Sequence, residues 1–147
     1  MSFSTKYTLE ALTRTSKTVP NEPPPEIVPR LELLSQRCDR LEAILGTPLR
    51  ISSAFRSPAV NKAIGGSATS AHLRGNAVDF TCSSLTPLQV CVRLVKLGAV
   101  SELEIDQLIY EGSWVHVGWK TGKPRGQVLT RKVKMGKVVY ASGIVVE

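Results

Sequence analysis

From Glu26 to Leu45, apolar residues recur at Ile27, Leu31, Leu34, Cys38, Leu41, Ile44 and Leu45. Steps of three and four residues place them on one stripe of an α-helix, and Gly46 is positioned to end it. Such a stripe must be buried against a second layer. The downstream sequence supplies that layer as strands. "PLRISSAF" reads as one strand and "AVDFTC" as a short second one. "EIDQLIYE" and "WVHVGW", separated by Gly112-Ser113, predict a hairpin. "RGQVLTRKVKMGKVVYASGIVVE" is basic and β-rich, with a turn at Met135-Gly136-Lys137. Helices come first and mixed strands follow. The expected class is α+β: a small single domain with N-terminal helices packed on a mostly antiparallel sheet.

Thr8 is a cap for a short helix through about Thr15. "VPNEPPPEIVP" must be extended, because proline lacks an N–H and restrains the residue before it. Residues 1–25 therefore read as a helix followed by a proline-rich strap across the surface. "RSPAVNKAIGGSATSAH" reads as a loop with one helical turn near Pro58 to Ala63. Thr86-Pro87 starts a helix that runs to Leu97 and stops at Gly98. Residues 121–147 form a basic β-rich tail within one domain of residues 1–147. No internal repeat is visible.

Lys and Arg number 19 and Asp and Glu 12, a formal charge of +7. That balance favours an acidic partner, either nucleic acid or the anionic bacterial envelope, or serves solubility alone. No nucleic-acid recognition motif accompanies it, so no nucleic acid is expected as partner. Three cysteines at irregular spacing, with no CxxC pair, form neither a disulfide framework nor a cysteine zinc site. Cys38, Cys82 and Cys91 are expected as buried free thiols of a chain made in a reducing compartment. The N-terminus lacks a charged-then-apolar signal pattern, and no apolar run approaches a membrane span. The expectation is a chain made in the cytoplasm, without stable membrane insertion, and monomeric.

The chemistry concentrates in "SAHLRGNAVDF", residues 70–80. His72 precedes Asp79 by seven positions, and Gly75 between them permits a tight turn. The chain has only two histidines, and the other is His116 in "WVHVGW". Two imidazoles and a carboxylate are the protein donors of a catalytic zinc, which keeps a further position for water. Other divalent transition metals accept the same donors. Asp79 alternates with Val78 and Phe80, and His116 alternates with Val115 and Val117, on the face of Trp114 and Gly118. Two neighbouring strands would aim Asp79 and His116 at one point. The plainer alternative is a polar pair at a strand end and a half-buried strand histidine.

"SAHLRGNAVDF" resembles the SxHxxGxAxD pattern of the M15 zinc peptidases. "ISSAFRSPAVNKAIGGSATSAH" resembles the segment that precedes it in one branch. "DQLIYEGSWVHVGW" resembles the segment carrying the third ligand, and "TLEALTRTSKT…PPPEI" the lead-in of small phage members. The resemblance covers roughly residues 7 to 130. It implies a zinc cofactor held by His72, Asp79 and His116 in a central cleft. Ser70 and Gly75 would shape the loop around the first ligand, and Arg56 would steady the substrate carbonyl or carboxylate, with paired donors suited to an oxyanion. It also implies a substrate: the stem peptide of peptidoglycan, cut at D-alanyl-D-alanine or at L-alanyl-D-glutamate. A phage or prophage lysin, made in the bacterial host cytoplasm and acting on the cell wall after release, would fit.

The pattern departs at the general base. Many relatives place a Glu or Asp three residues before the last histidine, where this chain has Ser113. Glu111, at the mouth of the hairpin, is the first choice of base, and Asp106 the alternative. Ser70 and Trp114 are candidates to touch substrate, although strand tryptophans such as Trp114 and Trp119 more commonly pack in a core. Tyr110 is a weaker candidate donor to a tetrahedral intermediate. The basic tail would face anionic wall polymers or form a solvated strand face. The alternative to an enzyme is a non-catalytic, zinc-containing structural or wall-binding phage protein.

Overall fold

The computed structural model describes residues 2–146. Its helices are α1 (Leu9–Thr13), α2 (Val28–Leu45), α3 (Pro58–Ala63), α4 (Pro87–Lys96) and α5 (Ala99–Glu102). α2 turns its stripe inward, burying Leu31, Leu34, Cys38, Leu41 and Leu45. It starts at Val28 rather than Glu26, because Pro23, Pro24 and Pro25 restrain the backbone just before it. Gly46 ends it in the left-handed conformation, and its N–H donates to the Glu42 carbonyl at 2.8 Å. α4 opens with a capping box between Thr86 and Gln89.

Six strands follow: β1 (Arg50–Ser53), β2 (Ala77–Thr81), β3 (Gln107–Tyr110), β4 (Val115–Gly118), β5 (Gln127–Lys134) and β6 (Lys137–Ser142). They form one sheet in the order β1-β2-β4-β3-β5-β6. Neighbours are antiparallel except β3 and β5, which run parallel. Val78 and Phe80 of β2, Leu108 of β3, and Val115 and Val117 of β4 share one core with Leu31 and Leu34 of α2 and Val90, Cys91 and Leu94 of α4. Each fully buried aliphatic side chain of this kind contributes about 1.5–3 kcal/mol. The period of two then turns Asp79, Ile109 and His116 to the opposite face. The expected α+β architecture is present.

Three local features differ from the sequence reading. α1 ends at Thr13, two residues early, because Arg14 is already extended. Ala71–Arg74, expected as loop, is a 3-10 turn capped by the Ser70 hydroxyl, which accepts from the His72 N–H. α5 was not expected; four residues are too few to display a helical period. The three cysteines are buried and free. Among the described residues, no helix is long and apolar enough to cross a membrane.

Two ties position the later site. The Asn21 side chain of the strap donates to the Thr13 and Phe55 carbonyls and accepts from the Ser57 N–H. The strap thereby clamps the turn that carries Arg56. Gly75 closes the 3-10 turn at φ +70°, and a Cβ there would lie 3.1 Å from Leu31 Cδ2. Gly75→Ala is expected to lose about 1–2 kcal/mol from the left-handed conformation alone. The crowding against Leu31 adds to that loss, read as a lower midpoint in urea unfolding.

Candidate metal centre

Strand register builds the centre. β2 pairs with β4 so that Asp79 stands opposite His116. The 3-10 turn delivers His72 to the same carboxylate. His116 Nδ1 lies 2.8 Å from Asp79 Oδ1, and His72 Nε2 lies 3.2 Å from Asp79 Oδ2. The two imidazole rings meet edge to face with centroids 5.2 Å apart. One donor atom from each of the three residues lies within 4.8 Å of the others. Gly118 leaves room for this packing, since a Cβ there would come 3.2 Å from His116 Nε2.

The donor set fits a divalent cation. His72 Nδ1 is 2.6 Å from the Ala54 carbonyl oxygen, which can only accept. Nδ1 therefore carries a proton, and in the neutral imidazole Nε2 presents a lone pair. That Nε2 is buried and has no hydrogen-bond partner, although Asp79 Oδ2 is 3.2 Å away. Two acceptors face each other with no proton between them, an arrangement a cation relieves. Burial opposes the charge on Asp79, but the hydrogen bond that its Oδ1 accepts from His116 leads the effects that outweigh it and hold the carboxyl well below the usual carboxylate range. Asp79 is thus an anion ready to ligate.

The centre lies in a cleft of about 730 Å3. Arg56 reaches it from the clamped turn. Its guanidinium contacts Asp79 Oδ2 at 3.4 Å, Ser53 Oγ at 3.2 Å and Asn61 Oδ1 at 3.4 Å. Ser70 also lines the cleft. Glu111 and Trp114 enter from the β3–β4 connection, where the Glu111 N–H donates to the Trp114 carbonyl at 3.1 Å. Ser113 is exposed at the tip of that connection. Burial raises the pKa of Glu111, and Asp79 adds to the rise, while His116, Arg131 and Arg56 oppose it. Glu111 Oε1 and Trp114 Nε1 are buried without partners.

Asp106 lies at the far end of β3, also on the cleft. Its carboxylate accepts from Arg125 N at 2.8 Å, Nε at 3.0 Å and Nη2 at 2.7 Å, and its own N–H donates to the Gly118 carbonyl. Both oxygens are engaged in pinning the 119–126 connection to the sheet. The hydrogen bond from Arg125 holds its pKa low against the effect of burial. The stabilisation is therefore complete above the ordinary Asp pKa and fades as the pH falls through the lowered one. Asp106→Asn is expected to cost about 1–2 kcal/mol, since the Arg125 end is half exposed. The loss should be largest near neutral pH in thermal melts and shrink toward acid.

A family model described as Peptidase M15 matches residues 5–118. The chain belongs to the M15 peptidases. No curated protein matches it. In this M15 peptidase the match runs from before α1 to the end of β4, so it spans Arg56, His72, Asp79, Glu111 and His116. It ends twelve residues short of the resemblance read from the sequence and leaves out β5 and β6.

Three residues that shape the site escaped the sequence reading. The Ala54 carbonyl that orients His72 carries no side-chain signal. Leu129 and Tyr140, which line the cleft from β5 and β6, lay in a basic tail read as facing wall polymers or as a solvated strand face. Tyr110, by contrast, is turned to the core side of β3, where it packs against the buried cluster. Trp119 is 2% exposed, and its Nε1 donates to the Leu103 carbonyl at 3.0 Å.

Proposed function

We propose that this M15 peptidase is a zinc-dependent hydrolase of peptidoglycan stem peptides, of the phage or prophage lysin type that reaches the wall after release from the cytoplasm. One observation carries the reading. Among the described residues, three buried side-chain polar atoms lack a partner: His72 Nε2, Glu111 Oε1 and Trp114 Nε1. All three belong to residues of one cleft. Orphaned buried polar atoms are rare in native proteins, and their clustering marks a place built for ligands.

His72, Asp79 and His116 would hold the zinc. When bound, zinc supplies a Lewis acid that makes water nucleophilic at neutral pH. The chain's own residues do the rest. Water adds to the scissile carbonyl carbon while Glu111 takes its proton. Its raised pKa suits a base that must hold that proton and then return it. Arg56 donates to the oxygen that gains negative charge. The carbon–nitrogen bond breaks as Glu111 delivers the proton to the departing amine. Trp114 Nε1–H offers a hydrogen bond to the peptide backbone. Asp106, engaged by Arg125, is not needed as the base.

Digestion of purified peptidoglycan, followed by mass spectrometry of the released fragments, tests this. New ends at D-alanyl-D-alanine or at L-alanyl-D-glutamate would support the reading and name the bond. Intact stem peptides with zinc bound would instead favour a non-catalytic wall-binding module.

A further inference from the structure

The β5–β6 hairpin lies wholly outside the residues matched by the family, yet it reaches the cleft. β5 joins the sheet by parallel pairing with β3, with Ile109 beside Leu129 and Tyr110 beside Thr130. Continued by one residue, that register sets Glu111 toward Arg131, and the carboxyl feels the guanidinium charge. β6 returns antiparallel and sets Tyr140 opposite Arg131. The alternation that turns Ile109 to the cleft turns Leu129 and Arg131 to the same face. Two parallel rows result. One is Asp79, His116, Ile109 and Leu129. The next is Trp114, Glu111, Arg131 and Tyr140.

The second row has the chemistry of a binding wall. Tyr140 lines the cleft and is 51% exposed. Arg131 is half-buried, and none of the ion pairs among the described residues includes it. Its charge is felt by both neighbours, opposing the raised pKa of Glu111 and that of Tyr140. The next pair on this face, Val133 and Val138, is exposed and apolar. A guanidinium flanked by a phenol and small apolar side chains suits a short peptide bearing a carboxylate.

We propose that the β5–β6 hairpin is the specificity wall of the cleft: Arg131 binds a free carboxylate on the substrate peptide, and Tyr140 packs along its backbone. The substrate class rests on the peptidase reading above, but the binding does not require cleavage. Arg131 and Tyr140 are thus specificity-determining residues supplied by the segment beyond the family match.

The probe is a pair of synthetic stem tetrapeptides that differ only at the α-carboxyl of the γ-linked D-glutamate, free in one and amidated in the other. Binding is measured by calorimetry on the metal-free full chain, where hydrolysis does not interfere, and cleavage on the zinc-loaded chain. The free acid is expected to bind about tenfold tighter than the amide, the scale of one charge-assisted hydrogen-bonded pair. Arg131→Ala should abolish that preference, and Arg131→Lys should restore part of it. Tyr140→Ala should weaken both peptides, with Tyr140→Phe close to wild type. Equal binding of the two peptides, or a preference that survives in Arg131→Ala, would overturn the wall. Selective binding without cleavage would sustain the wall and refute the peptidase reading, whereas cleavage without selectivity would do the reverse.

Discussion

Glu111→Gln is expected to lower peptide cleavage by about a hundred- to ten-thousand-fold, the usual worth of a positioned general base. Folding and zinc content should be unchanged. The amide keeps the size of the carboxyl and fills the same place beside Trp114, but it cannot accept a proton. Burial already disfavours the charged carboxylate, so its neutral replacement costs no stability. Circular dichroism, zinc analysis and a cleavage assay on the same preparation check all parts. Asp106→Asn provides the contrast. It should lower the melting temperature while leaving the rate per folded molecule close to wild type, because Asp106 is spent on Arg125. A reversed pattern, with Asp106→Asn inactive and Glu111→Gln active, would move the base to Asp106.

His72→Ala is expected to remove zinc binding and activity together. Loss of a residue that merely orients a ligand typically weakens metal binding by about 10–100-fold, and loss of a ligand itself exceeds that. His72 is also buried, with Nδ1 donating to the Ala54 carbonyl. Its removal leaves that carbonyl without its partner and opens a cavity, so some loss of stability accompanies the loss of metal. His116→Ala separates the effects. Its ring is more exposed than that of His72, 14% against 3%, so metal should be lost at a smaller cost in stability. Zinc titration and urea unfolding of the two variants in parallel provide the comparison.

Much of this architecture is legible in the sequence because its elements are locally determined. The stripe from Leu31 to Leu45, the Thr86-Pro87 start and the Gly46 stop each depend on residues a few positions apart. The three candidate ligands are legible for a different reason. A chain with two histidines leaves few ways to complete a metal site with Asp79, and strand alternation gives each side chain its face. What stays hidden depends on long-range pairing. Nothing in residues 127–142 states that β5 will run parallel to β3, and only that pairing brings Arg131 beside Glu111. Before it is known, Leu129 and Tyr140 read as part of a basic ribbon that either faces wall polymers or is solvated. The orientation of His72 is hidden for a similar reason, because its partner is a main-chain carbonyl eighteen residues away.

At the proposed base, motif and geometry diverge. Counting three residues back from His116 arrives at Ser113, which the turn places outward at its exposed tip. The strand pairing instead turns Glu111 into the cleft, two residues earlier. Distance along the chain is a poor guide where a hairpin reverses.

In the proposed function, peptide cleavage depends on a metal held by His72, Asp79 and His116. Its most direct test is metal content by mass spectrometry of the purified full chain, stripped with chelator and then titrated with zinc while cleavage is followed. One zinc per chain is expected, with cleavage absent from the stripped protein and restored in proportion to zinc up to that stoichiometry. Full cleavage by the stripped protein, or no zinc retained at any concentration tested, would contradict it.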